Sequence, residues 1–241
     1  TSRLERKYFI TMNKKVFFKA VIILLGILML ADIYMALVWV PPIKVESLTE
    51  RIAQRIFYFH VPSAWLGFLA FFFVFLGSIM YLWKKVRKYE LLSAASAEIG
   101  VLFITIVLIT GPIWAKPVWG VWWTWDTRLT SSLVLWLIYV AYIFLRRSLP
   151  DGKKRANLSS VVGIIGFFDV PIVYFSIRWW ETQHPQAVMA NGSGGMSGVM
   201  LGTFLFSLFV FTLFFSVLLT LRYKQISLED KMNKLYKELE Q

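Results

Sequence analysis

The chain has two histidines, eleven tryptophans and no cysteine. That combination limits the metal chemistry open to it. His60 sits in the run R-I-F-Y-F-H-V-P and His184 in R-W-W-E-T-Q-H-P. Neutral imidazole is a common ligand of haem iron. One histidine on each face of a porphyrin would make the iron six-coordinate. Pro62 and Pro185 follow closely and restrict the backbone around each ring. A zinc site would want a third or fourth ligand, for which Glu50, Asp126 and Glu181 are candidates. The absence of cysteine excludes disulfides, thiol redox chemistry and covalent haem attachment through a C-x-x-C-H site in this chain.

Between the histidines in sequence lies W-A-K-P-V-W-G-V-W-W-T-W-D-T-R-L-T-S-S-L, beginning at Trp114. An interfacial aromatic belt puts one or two tryptophans at a helix end. It does not readily explain four within seven residues, Trp119, Trp122, Trp123 and Trp125, joined to Asp126 and Arg128. A shallow platform for a large, flat, apolar ligand explains them better. Indoles supply broad contact area at little entropic cost. Gly120 would let the backbone approach such a ligand closely.

A porphyrin carries two propionates, which need cationic partners. Arg55, Lys116, Arg128 and Arg178 are the candidates near the loop. Arg55, five residues before His60, and Arg128, two after Asp126, are the choice for propionate contacts, because guanidinium pairs with carboxylate through two parallel hydrogen bonds. Lys44 and Arg51 fit lipid phosphates.

These side chains must be positioned by the rest of the chain, which is 58% hydrophobic over 241 residues, with a mean hydropathy of +0.62. The apolar residues form six long runs, roughly Val16–Val38, Ala64–Trp83, Ala94–Ile113, Leu129–Leu145, Leu158–Ile177 and Ser197–Leu221. About 20 residues are needed to cross the hydrocarbon core as a helix, and only helices satisfy their own backbone there. The expected fold is all-α: a polytopic membrane protein of six transmembrane helices forming one integral membrane domain over residues 1–241. The first run is too long for a signal-peptide core and lacks a small-residue cleavage site after it, so it reads as a span. Met12, followed by Asn13, Lys14 and Lys15, reads as a natural start, with residues 1–11 an alternative start or a non-native extension. The Gly/Ser-rich stretch 191–198 reads as a flexible turn into the last helix.

Twenty of the 26 Lys and Arg fall in the N-terminal tail, the second-to-third connection, the fourth-to-fifth connection and the C-terminal tail. Basic residues mark the cytoplasmic side, so both termini are expected there. The net charge of +12 is then mostly a topology signal, with some attraction to anionic lipid, and nucleic-acid binding is not expected. The outer loops are residues 39–63, 114–128 (tryptophan-rich) and 178–196, which puts both histidines on the tryptophan face. Asp32, Glu98 and Asp169 fall inside spans, where charge is costly and faces protein or a water-filled cavity. Asp32 and Asp169 are candidates to line a cavity beneath the platform or to pair with Tyr34 or Tyr174. Pro171 should kink the fifth span.

The segment W-G-V-W-W-T-W-D-T-R-L-T-S, Trp119 to Ser131, resembles the signature of the WWD-domain haem-handling family, and the chain is most similar to its small six-span class, the cytochrome c-type biogenesis haem exporter C (CcmC) class. The resemblance covers nearly the whole chain and includes R-I-x-Y-x-H-V-P and W-W-x-T-x-H. It implies haem b as a transient cargo on the outer face of the bacterial inner membrane, with His60 and His184 as axial ligands. It implies that Trp119, Trp122, Trp123, Trp125 and Asp126 support the porphyrin. It also implies partners: a membrane-anchored haem chaperone that receives the cargo, a small single-span helper, and an ABC-type membrane subunit with its ATPase. The protein would bind and transfer haem rather than act as an enzyme, with lyase-like help in loading the chaperone a further expectation. The chain has no G-x-x-x-x-G-K-[ST] motif, so energy must come from a partner. A haem-binding redox subunit resembling cytochrome b and a permease subunit without haem are the alternative readings. The glycine-rich stretch after His184 departs from the family pattern.

Overall fold

The computed structural model describes residues 3–42, 47–180 and 196–240, with side chains from Val16 onward. Eight α-helices account for nearly all of it: α1 (Arg3–Tyr34), α2 (Leu48–Ala53), α3 (Phe57–Lys84), α4 (Arg87–Trp119), α5 (Thr127–Ser148), α6 (Lys153–Phe167), α7 (Asp169–Trp179) and α8 (Gly198–Leu239). A π-helical turn, Met35–Trp39, closes α1, and a 3₁₀ turn, Gln54–Ile56, joins α2 to α3. Grouped end to end, these give six helical segments long and apolar enough to cross a membrane.

Helix boundaries differ from the hydropathy pattern in a consistent direction. The segment 39–63 is not a loop throughout, because α2, the 3₁₀ turn and the start of α3 occupy residues 48–63. The helix α4 runs on to Trp119, which shortens the tryptophan loop, and α7 runs to Trp179. Hydropathy detects only the part of a helix that is apolar enough to meet lipid. Aromatic and charged turns at the ends continue the same backbone hydrogen bonding without that signal. The fifth span does break where Pro171 requires it. Proline cannot donate to the carbonyl four residues earlier, and α6 stops at Phe167 with α7 starting at Asp169.

The centre of the bundle is the antiparallel pair α3 and α4. Small residues let these two backbones approach. A Cβ on Gly77 would lie 2.9 Å from the Tyr89 carbonyl oxygen, and one on Gly100 would run into the Phe71 ring. On one side α5, α6 and α7 close over Phe71, Val74, Ile104, Leu135, Tyr139 and Val173. There Phe71 and Tyr139 stack with centroids 3.6 Å apart. On the other side α8 packs Phe211 and Phe215 against Leu66, Ala70 and Phe103. The helix α1 lies outside, against α8, where the buried Asp32 accepts a hydrogen bond from Ser207 at 2.6 Å.

The bundle end opposite the tryptophan loop is tied by charges. Glu90, 1% exposed, pairs with Arg146 and, at 2.9 Å, with Arg87. Arg87 also reaches Asp151 at 2.8 Å and Asp230 at 2.7 Å. Three helices, α4, α5 and α8, and the turn before α6 are thereby fixed at one level, which leaves the other end to carry the site.

Candidate functional site

At the tryptophan end, α4 must stop and α5 must start within a few residues. Gly120 ends α4 with a φ of +77°, in the left-handed region that glycine enters without penalty. Its amide donates to the Lys116 carbonyl at 3.0 Å, and Lys116 Nζ donates to the Gly120 carbonyl at 2.8 Å. A Cβ at Gly120 would meet nothing within 4 Å. Gly120 therefore serves as a helix stop, with open space beside its backbone. Asp126 begins α5: its Oδ1 accepts from the Leu129 amide at 2.9 Å and its Oδ2 from the Thr124 hydroxyl at 3.3 Å. This is an N-cap, satisfying a donor that the first helical turn leaves open.

Pinned at both ends, the short loop sorts its indoles. Trp122 and Trp125 face outward, 58% and 76% exposed. Trp123 turns inward, and its Nε1 is buried with no hydrogen-bond partner among the described residues. The rings of Trp123 and Trp125 meet edge to face at 5.7 Å, so the loop is not a flat stack. Trp119 is half-buried at the end of α4, and Trp114 lies more than a turn earlier on the same helix.

His60 is not in a loop. It sits in the first turns of α3, with Pro62 in the same helix. Three residues of α4 hold its ring. Thr110 Oγ1 is 2.9 Å from Nδ1. Trp114 packs at 5.8 Å, tilted 75°. A Cβ on Gly111 would stand 3.4 Å from Cε1. A helix-borne ring clamped by a neighbouring helix has a fixed orientation.

His60, Trp123 and Arg128 line one cavity of about 40 Å³ between α3, α4, α5 and α7, floored by Phe68, Ile104 and Val173. That volume holds about three waters. It is a notch, and a macrocycle would lie across its mouth with only an edge or substituent inside. The Arg128 guanidinium makes no hydrogen bond or ion pair among the described residues. With the unpartnered Trp123 N–H it brings two donor groups to the lining of one small cavity, a set that suits a carboxylate. The residue set therefore fits a haem with an acidic substituent.

Other expectations meet the structure less directly. Arg55 lies on the 3₁₀ turn before α3, its Nη1 buried without a partner among the described residues, and it does not line the notch. Asp32 and Asp169 do not line the notch either. Asp32 pairs with Ser207 instead of Tyr34. Asp169 keeps a buried, unpartnered Oδ2 and Tyr174 is exposed. Glu98 is bound by Arg222 of α8, with Nη2 to Oε1 at 3.0 Å. His184 and Glu181, with most of the segment 178–196, lie outside the described residues. Among the described residues no three His, Asp or Glu side chains cluster as a metal site. Thr110, Gly111 and Ser132 contribute to the site without having been singled out by sequence. Their one visible signal is that Thr110 and Trp114 are four apart, on one face of α4.

Comparison with known proteins is consistent along the chain. A family model described as Heme exporter protein C matches residues 3–238. A cytochrome c biosynthesis ccmC-like mitochondrial protein of Marchantia polymorpha is 34% identical over 186 residues, 76% of this chain and 78% of the relative. Heme exporter protein C of Bradyrhizobium diazoefficiens is 34% identical over 174 residues, covering 72% and 66%. Heme exporter protein C of Escherichia coli strain K12 is 33% identical over 176 residues, covering 73% and 71%.

Proposed function

Because the chain belongs to the haem exporter protein C (CcmC) family, we propose that it holds haem at the tryptophan-loop end of the bundle and hands it on for cytochrome c biogenesis. The observation that carries this reading is the convergence of His60 from α3, Trp123 from the loop and Arg128 from α5 on one notch. In this reading His60 offers an axial nitrogen, Arg128 and the Trp123 N–H orient a propionate, and the exposed Trp122 and Trp125 cover the ring. His184 supplies the opposite axial ligand. Haem brings the iron and the flat apolar surface; the chain brings position, charge complement and shielding from water. Trp122 and Trp125, being exposed, also leave an edge that a receiving protein can reach.

The distribution of basic residues supports cytoplasmic termini and an outward-facing notch in a bacterial inner membrane. The partners are then those of the haem-export machinery: a membrane-anchored haem chaperone, a small single-span subunit, and an ABC-type membrane subunit with its ATPase. The role is binding and transfer, not turnover of a substrate.

The visible spectrum of the purified protein tests the reading. A Soret band that weakens when Trp122, Trp123 and Trp125 are replaced together, with loss of chaperone loading, is the expected result. A protein that never carries haem fits a permease subunit, and rapid reduction of bound haem by a quinol fits a redox subunit. Full loading by the triple variant would leave the tryptophans as a simple interfacial belt.

A further inference from the structure

The contact between His60 and Thr110 has a direction. Thr110 Oγ1 lies 2.7 Å from the Ile106 carbonyl oxygen, four residues back along α4, and 2.9 Å from His60 Nδ1. A carbonyl oxygen can only accept, so that contact takes the hydroxyl's single proton. What the hydroxyl then offers His60 is a lone pair. That assignment puts the imidazole proton on Nδ1 and the basic lone pair of the ring on Nε2.

We propose that Thr110 is the positioning residue that fixes His60 in its Nδ1–H tautomer and so selects Nε2 as the nitrogen offered to iron. This deepens the haem-binding reading above and rests on it for its purpose, though not for the tautomer itself. The free neutral side chain prefers its proton on Nε2, which would leave the wrong nitrogen basic. Ligating histidines generally donate their second ring N–H to an oxygen acceptor, which orients the ring and raises its basicity. Here that acceptor comes from the helix packed against the ligand. Trp114 and Gly111, from the same stretch of α4, restrict the ring from its edge and at Cε1. One helix thus sets both the tilt and the protonation pattern of a ligand borne by another. A hydroxyl polarised by donating to Ile106 is also a better acceptor than an isolated one.

Nitrogen NMR on the full chain, labelled with ¹⁵N-histidine and prepared without haem in lipid nanodiscs, reads the tautomer directly. The measurement is made where the rings are neutral, and a His184→Ala variant identifies which signals belong to His60. The expected result is a pyrrole-like, protonated Nδ1 and a pyridine-like Nε2. Thr110→Val should move His60 towards the Nε2–H pattern, and Thr110→Ser should keep the original one. A pyridine-like Nδ1 in the wild-type chain would overturn the proposal, and that result needs no variant to fold. A His60 pattern unchanged in a folded Thr110→Val protein would overturn it as well. The result is separable from haem binding: if the tautomer is as stated but His60→Ala retains haem normally, it is the axial-ligand reading that fails.

Discussion

His60 on α3 and Thr110 on α4 are fifty residues apart in sequence and 2.9 Å apart at their polar atoms. The same two helices form the tight core of the bundle, through Gly67, Gly77 and Gly100. The ring at the site is therefore held by the most closely packed part of the protein. This arrangement pre-orients the His60 ring on a rigid element, beside a cavity that Trp123 also lines. In the proposed haem-handling role, one fixed ring and a more exposed set of indoles would divide holding from letting go.

The carboxylate-binding role proposed for Arg128 predicts a specific loss. Arg128→Gln removes a charge-assisted hydrogen bond of about 1.5–3 kcal/mol, which corresponds to haem affinity weakened by about 10- to 150-fold. Arg128→Lys should recover only part of it, because ammonium lacks the two-pronged geometry. Titrating haem into the purified variants and following the Soret band measures both. A mesoporphyrin diester should bind wild type and Arg128→Gln alike.

Capping by Asp126 makes a different prediction. Asp126→Ala should destabilise the start of α5 by about 1 kcal/mol, and Asp126→Ser should cost less, since serine caps nearly as well. Because the same carboxylate holds Thr124, the alanine variant should also loosen the tryptophan loop. Thermal unfolding in detergent checks the first effect, and quenching of tryptophan fluorescence by a soluble quencher checks the second, with greater access expected.

Close packing at Gly100 predicts that even one methyl group is resisted. A Cβ there would run into the Phe71 ring, which is itself stacked on Tyr139. Gly100→Ala must displace that ring and should cost about 1–3 kcal/mol. Gly202→Ala in α8, where a Cβ meets nothing within 4 Å, should be tolerated. Comparing their unfolding midpoints tests the packing account separately from any ligand.

The two readings, from sequence and from structure, diverge for physical reasons. Six apolar runs and the break before Pro171 were legible because bilayer thickness and a missing N–H act locally. The helical state of His60 was not, since Arg51 to Phe59 is too polar and aromatic to register as a span. The tryptophans were legible as a cluster, but not the inward turn of Trp123, which depends on how Gly120 and Asp126 pin the loop. Thr110 was silent because a threonine inside an apolar span is ordinary. Only the approach of α3 gives it a partner. Asp126 illustrates a shared role: a residue of the haem-family motif also spends its carboxylate on starting a helix.

The most direct measurement is haem retained per protein in His60→Ala, with and without added imidazole. The account predicts that the purified variant loses most of its haem and its Soret signature, and that imidazole entering the vacated space restores both. Haem content and spectrum equal to wild type in a folded His60→Ala protein would contradict it.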